Sequence, residues 1–172
     1  GQHEAALRAF EAIGALSPDD AHAVASRAHI EDQRGHHERA IELQQEVVVL
    51  APARGAHWFN LGFMLEKAGR LDEALAAFRE ATRLSPQLDR AWYGLGLVLI
   101  RMHRFDEAVE ALRKNTELQP MSPYGWYQLA RVHVDRQEPE EAARIIRHLR
   151  GFEPKVAAQL ERETGLSTAQ SA

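Results

Sequence analysis

The chain has 172 residues, 45% hydrophobic and 27% charged, a balance that excludes a disordered segment and suits one folded domain or a short helical solenoid. A formal net charge of −4 and a pI of about 6.1 run against sequence-independent nucleic-acid binding, which calls for a basic surface. The lack of cysteine excludes disulfides and thiolate metal sites and leaves cytoplasm and periplasm of a bacterium both open, and the longest apolar run, residues 47–51, is far too short to cross a bilayer.

Three residue types share one period. Prolines stand at Pro18, Pro52, Pro86, Pro120 and Pro154, alanines at Ala6, Ala40, Ala74, Ala108 and Ala142, and tryptophans at Trp58, Trp92 and Trp126, always 34 residues apart. In chain order, Gly1 aligns with the glycine of an internal turn. Residues 3–16, with Ala6, Phe10 and Ile13 in one stripe, are therefore expected as the second helix of a repeat within 1–20 whose first helix is missing. On that reading the chain is a piece of a longer protein, and Leu7, Phe10 and Leu16 leave apolar surface for self-association. Residues 21–54 form the least regular unit, with Val24, Arg27 and Glu31 in the stripe positions, yet Ala28, Gly35, Ala40 and Pro52 keep the frame.

Residues 55–88 display the pattern most clearly. Trp58, Leu61, Gly62 and Leu65 mark one face of a helix, Gly69 permits a left-handed helix end, and Leu71, Ala74, Leu75, Phe78 and Ala81 mark a second helix. Asp72 and Glu73 complement that helix's dipole, and Pro86 ends the pair. Residues 89–122 repeat it through Trp92, Leu95, Gly96, Ala108, Leu112 and Pro120, with Asn115 where a small residue is expected. Residues 123–156 repeat it through Trp126, Leu129, Ala130, Ala142 and Pro154, with Pro139 opening a second helix over 139–152. Each tryptophan is expected in the core. Residues 155–164 predict one more short helix, with Val156 and Leu160 facing back, and 165–172 a fraying polar tail.

The string Trp58-x-x-Leu61-Gly62, then Ala74-x-x-x-Phe78, then Pro86, resembles the tetratricopeptide repeat signature, with Leu65 where that family prefers tyrosine. The resemblance covers about residues 1–156. It implies an all-α fold, a right-handed α-solenoid of antiparallel helix pairs, closed by a polar capping helix at 155–164. It implies a protein-interaction scaffold or adaptor that holds a peptide or protein segment in a concave groove. The alternative is an adaptor region of a larger enzyme whose catalytic part lies outside this chain.

In that family the outer stripe of each first helix lines the groove. Here that stripe and its edges carry Phe59, Asn60, Phe63, Arg90, Tyr93, Leu97, Arg101, Tyr124, Tyr127 and Arg131. Aromatic and arginine clusters favour binding surfaces; the rival reading is that the aromatics pack between neighbouring repeats. Arg90, Arg101 and Arg131, opposed by Glu66 and Asp135, predict a locally positive surface suited to a partner with acidic groups and an apolar anchor. Asn60 and Arg90 match two positions of the carboxylate clamp found in one branch of the family. Ala25, His29 and Gly94 do not match, so a chaperone-type clamp is not expected, and the asparagine ladder of another branch is absent.

No metal or cofactor is expected. His22 and His29 lie seven apart on one helical face and His36–His37 form a pair, but no three or four ligands converge by spacing. Nor is catalysis expected. There is no Gly-rich phosphate loop, no Gly-x-Ser-x-Gly and no His-Glu-x-x-His, and the recurrent helix-start carboxylates have a sufficient structural role.

Overall fold

The computed structural model describes residues 2, 4–6, 8 and 20–167. Among these the fold is all-α, with nine complete helices and no strand. They are α1 (Ala21–Gln33), α2 (His37–Leu50), α3 (Gly55–Lys67), α4 (Leu71–Leu84), α5 (Asp89–Arg101), α6 (Phe105–Leu118), α7 (Pro123–Asp135), α8 (Pro139–Arg150) and α9 (Pro154–Thr164). Gln2, Glu4–Ala6 and Arg8 are also helical. The remainder of the helix expected over 3–16, including Leu7, Phe10 and Leu16, lies outside the described residues.

The chain divides within α5 into two compact units, one of residues 1–94 and one of residues 95–172. In the first, α1 packs on α2, α2 on α3 and α3 on α4. In the second, α6 packs on α7, α7 on α8, and α9 on both α8 and α7.

The turn inside each helix pair is the same device four times. Gly35, Gly69, His103 and Gln137 occupy the left-handed region at φ 84°, 77°, 58° and 61°. The following residue then donates its backbone N–H to a carbonyl five residues back: His36 to Glu31 (2.9 Å), Arg70 to Leu65 (2.9 Å), Arg104 to Leu99 (2.8 Å) and Glu138 to His133 (2.8 Å). This is the Schellman arrangement, which satisfies carbonyls that the helix end would leave bare. Two of the four positions hold residues other than glycine, so the backbone conformation outlasts the sequence signal for it.

Packing follows small-against-large pairing. Ala28, Ala40, Ala74, Ala108, Ala130 and Ala142 are fully buried. Where the first helix carries glycine, the second supplies a large side chain. A Cβ on Gly62 would come within 2.9 Å of the Phe78 ring, and one on Gly96 within 2.8 Å of Leu112. The same trade accommodates Asn115, buried at the position where an alanine was expected: a Cβ on the facing Gly125 would lie 2.1 Å from its Oδ1.

The tryptophans differ from expectation. Trp58, Trp92 and Trp126 are half-buried, not enclosed. Each ring N–H donates to the carbonyl of the proline that closes the previous pair: Trp58 to Pro52 (2.9 Å), Trp92 to Pro86 (2.8 Å) and Trp126 to Pro120 (2.9 Å). An indole N–H needs a polar partner, so the ring sits at the boundary where a loop carbonyl is reachable. The shared period of tryptophan and proline thus records a physical tie between them.

Candidate functional site

In the first unit, α1 and α3 frame an open depression of about 780 Å³. His22, Ser26, His29 and Asp32 come from α1, Gln44 from α2, His57, Phe59, Asn60, Phe63 and Met64 from α3, and Arg90 from the start of α5. Phe59 is held by its neighbours, with its ring centroid 5.9 Å from Phe78 and 6.4 Å from Phe63. The Arg90 guanidinium lies 5.0 Å above the Phe59 ring, and the Lys67 ammonium 5.4 Å from the Phe63 ring. A cation over an aromatic face is attracted by the ring quadrupole while its N–H groups stay available to a ligand. Phe63 is 49% exposed, an apolar surface beside that cation.

The floor of the depression is polar where the other repeats are apolar. Gln44, 1% exposed, stands at the repeat position of Phe78, Leu112 and Ile146. Its Nε2 donates to the His57 carbonyl at 3.0 Å. His57 itself stands at the position of Ala23, Ala91 and Gly125, all buried. Its Nδ1 is buried and makes no hydrogen bond among the described residues. Burial, followed by repulsion from Arg54 and His22, pushes the imidazole below the ordinary histidine range. Asp32 is already matched: His37 Nδ1 is 2.8 Å away and Lys67 Nζ 3.4 Å away. Burial opposes its ionisation, but these two partners together hold its carboxyl below the usual aspartate value.

In the second unit the first-helix face meets the chain's own last helix. Glu163 of α9 accepts from the Tyr127 hydroxyl at 2.5 Å and from Arg131 Nη1 at 2.8 Å, while Gln159 Nε2 bonds its other oxygen at 2.8 Å. The Arg131 guanidinium also lies 5.9 Å from the Tyr127 ring centroid. The hydrogen bond to Glu163, reinforced by burial, raises the Tyr127 phenol, and the bonds from Tyr127 and Gln159 hold the Glu163 carboxyl low. Beneath this cluster Ala157 and Leu160 are fully buried. Here an aromatic residue and an arginine, one helical turn apart, hold a carboxylate carried by a helix that also buries a leucine.

Of the ten residues singled out from sequence, Phe59, Asn60, Phe63 and Arg90 come together in the first depression, and Tyr127 and Arg131 come together around Glu163. Tyr93 and Leu97 are half-buried on α5, Arg101 is exposed at its end, and Tyr124 is 69% exposed at the start of α7. Sequence reasoning did not find Glu163, which lies beyond the last full repeat, or His57 and Gln44. The signal for the latter pair was present: both are polar residues at repeat positions that are small or apolar elsewhere. No group of three histidine, aspartate or glutamate side chains among the described residues is arranged to hold a metal. No described helix is long and apolar enough to cross a membrane.

Profiles described as tetratricopeptide repeat match residues 1–54, 65–127 and 123–148. The chain belongs to the tetratricopeptide repeat family. The fold agrees with solved structures of similar size. A crystal structure of MamA superposes with a TM-score of 0.83 at 21% identity, covering 99% of this chain and 90% of that one. YrrB, described as a TPR protein with an unusual peptide-binding site, gives 0.82 at 18% identity, covering 94% and 84%. MamA residues 41 to the end, from Desulfovibrio magneticus RS-1, gives 0.78 at 23% identity, covering 96% and 89%. At such identities the likeness is one of fold. No curated protein matches the chain in sequence.

Proposed function

We propose that this tetratricopeptide repeat chain is a non-catalytic interaction scaffold whose first-helix faces capture a protein or peptide segment carrying acidic groups. The observation that carries this reading is the Arg90–Phe59 pair. A guanidinium rests on an aromatic ring at the edge of a depression of about 780 Å³. The Tyr127–Arg131 pair supplies the ligand chemistry, because it holds a carboxylate in the chain itself. Phe59, Asn60, Phe63 and Arg90, with Tyr93, form the proposed contact surface in the first unit; Leu97, Arg101, Tyr124, Tyr127 and Arg131 form the one in the second. That YrrB is described with a peptide-binding site fits this use of the fold.

The energetics are adequate. A charge-assisted hydrogen bond contributes about 1.5–3 kcal/mol, and an apolar side chain buried against Phe59 and Phe63 adds a comparable amount. After ordering costs, dissociation constants on the order of micromolar follow. The test is fluorescence anisotropy with labelled peptides in which glutamates alternate with leucine and phenylalanine, and with matched glutamine peptides. Arg90→Glu, folded by circular dichroism, is expected to lose most of the affinity for the glutamate series. If affinity is unchanged in the folded variant, the ligand uses another surface.

A further inference from the structure

We propose that the depression in the first unit is a proton-linked site, in which His57 takes up a proton as an acidic partner segment binds beside His22, His29 and Arg90. This rests on the acidic-segment reading above and adds its regulation.

The first argument is the placement of polar groups. Three of the four repeats fill the positions of Gln44 and His57 with apolar or small residues, so packing does not require polarity there. Burying a polar group without a partner is unfavourable, and His57 Nδ1 is such a group. Both departures fall in the same repeat pair and meet at the floor of the same depression. Arg27, at the position of Leu61, Leu95 and Leu129, is a third polar replacement in this part of the chain.

The second argument is the inventory of charges facing His57. Element α1 presents His22, His29 and Asp32, α2 presents the neutral Gln44, and α5 presents Arg90. Arg54 stands just before α3, and α4 contributes no lining residue. Among the described residues lining the depression the one carboxylate, Asp32, is already paired with His37 and Lys67. The remaining groups are basic, so an incoming carboxylate meets complementary charge. In the second unit, Tyr127 and Arg131 show such a carboxylate being held.

The sign of the linkage follows from the electrostatics. Without ligand, desolvation, Arg54 and His22 all disfavour a charged His57. A bound carboxylate reverses that balance and favours the imidazolium, so the complex binds more protons than the free chain. By reciprocity, affinity rises as pH falls through the histidine range. The ligand's glutamates remain ionised there, since their ordinary value is about 4.3.

The experiment is isothermal titration calorimetry of the full chain with the peptide acetyl-Glu-Leu-Phe-Glu-Leu-Glu-amide. It is run at about pH 6 and about pH 8, each in two buffers of different ionisation enthalpy. The expected result is severalfold tighter binding at the lower pH, with about tenfold the ceiling that a one-unit shift on one linked group allows, and net proton uptake. The variant His22→Gln/His29→Gln/His57→Ala is expected to bind without that dependence; its alanine is the residue the chain itself carries at Ala23 and Ala91, and the Gln44 bond to the backbone carbonyl survives. Histidine resonances followed by NMR in the unmodified chain, with and without peptide, give the same information should the variant misfold. Binding that is pH-independent and without proton uptake overturns the linkage and leaves the acidic-segment reading standing. Wild-type pH dependence in the folded triple variant overturns it too. No binding at either pH overturns both.

Discussion

Replacing Phe78 with alanine tests how these repeats are held together. Its side chain is 1% exposed and lies between two glycines. A Cβ on Gly62 would come within 2.9 Å of the ring and one on Gly94 within 2.7 Å. Phe→Ala in a core costs about 3–5 kcal/mol, depending on how far the surroundings collapse into the space. At this site the two nearest backbones have no side chains to swing inward, so the cost is expected in the upper half of that range. The complementary change is Gly62→Ala. It gains about 1 kcal/mol of helix propensity, but the new methyl group meets an immobilised ring, and overpacking costs about 1–3 kcal/mol. Combining Gly62→Ala with Phe78→Leu removes the clash, so the double variant is expected to be more stable than the sum of the singles. Urea unfolding followed by circular dichroism and by tryptophan fluorescence yields the values for Phe78→Ala, for Gly62→Ala and Phe78→Leu alone, and for their combination. A cost below about 2 kcal/mol for Phe78→Ala, or strict additivity in the cycle, would refute the close-packed picture.

Trp92→Phe keeps most of the ring but loses the N–H bond to the Pro86 carbonyl, for an expected loss of about 1 kcal/mol; equal thermal stability would show that the bond is idle. Trp92→Ala is expected to cost less than a fully enclosed aromatic would, because the ring is half-buried, and the same unfolding assay ranks it against Phe78→Ala. Glu163→Gln replaces the charged acceptor that stabilises the neutral Tyr127 phenol with a weaker, uncharged one. Because the folded value is raised, the stabilisation is complete below the ordinary tyrosine value of about 10 and is lost as pH rises through the folded value. The variant's phenolate absorbance should therefore rise at lower pH than in the parent, and identical titration curves would count against the Tyr127–Glu163 bond.

What the sequence by itself determined is the repeat. Proline, alanine and tryptophan recur in a common register, and a 34-residue helix–turn–helix unit cannot bury its apolar face alone, so stacked helix pairs are the solution the pattern allows. The helical turns at Gly35 and Gly69 were legible because a left-handed residue favours glycine, whereas His103 and Gln137 adopt the same backbone without that signal. The sequence also placed Phe59, Asn60, Phe63 and Arg90 on one face. Tertiary structure decided the rest, because it depends on distances between residues that no period connects. That Asn115 is tolerated depends on the missing Cβ of Gly125 across the helix interface. That Arg131 carries a counter-ion depends on α9 folding back to deliver Glu163. The meeting of Gln44 and His57 beneath His22, His29 and Arg90 depends on three helices converging on one depression. Periodicity reports what the repeats share, and the candidate site is built from the positions where one repeat departs from the others.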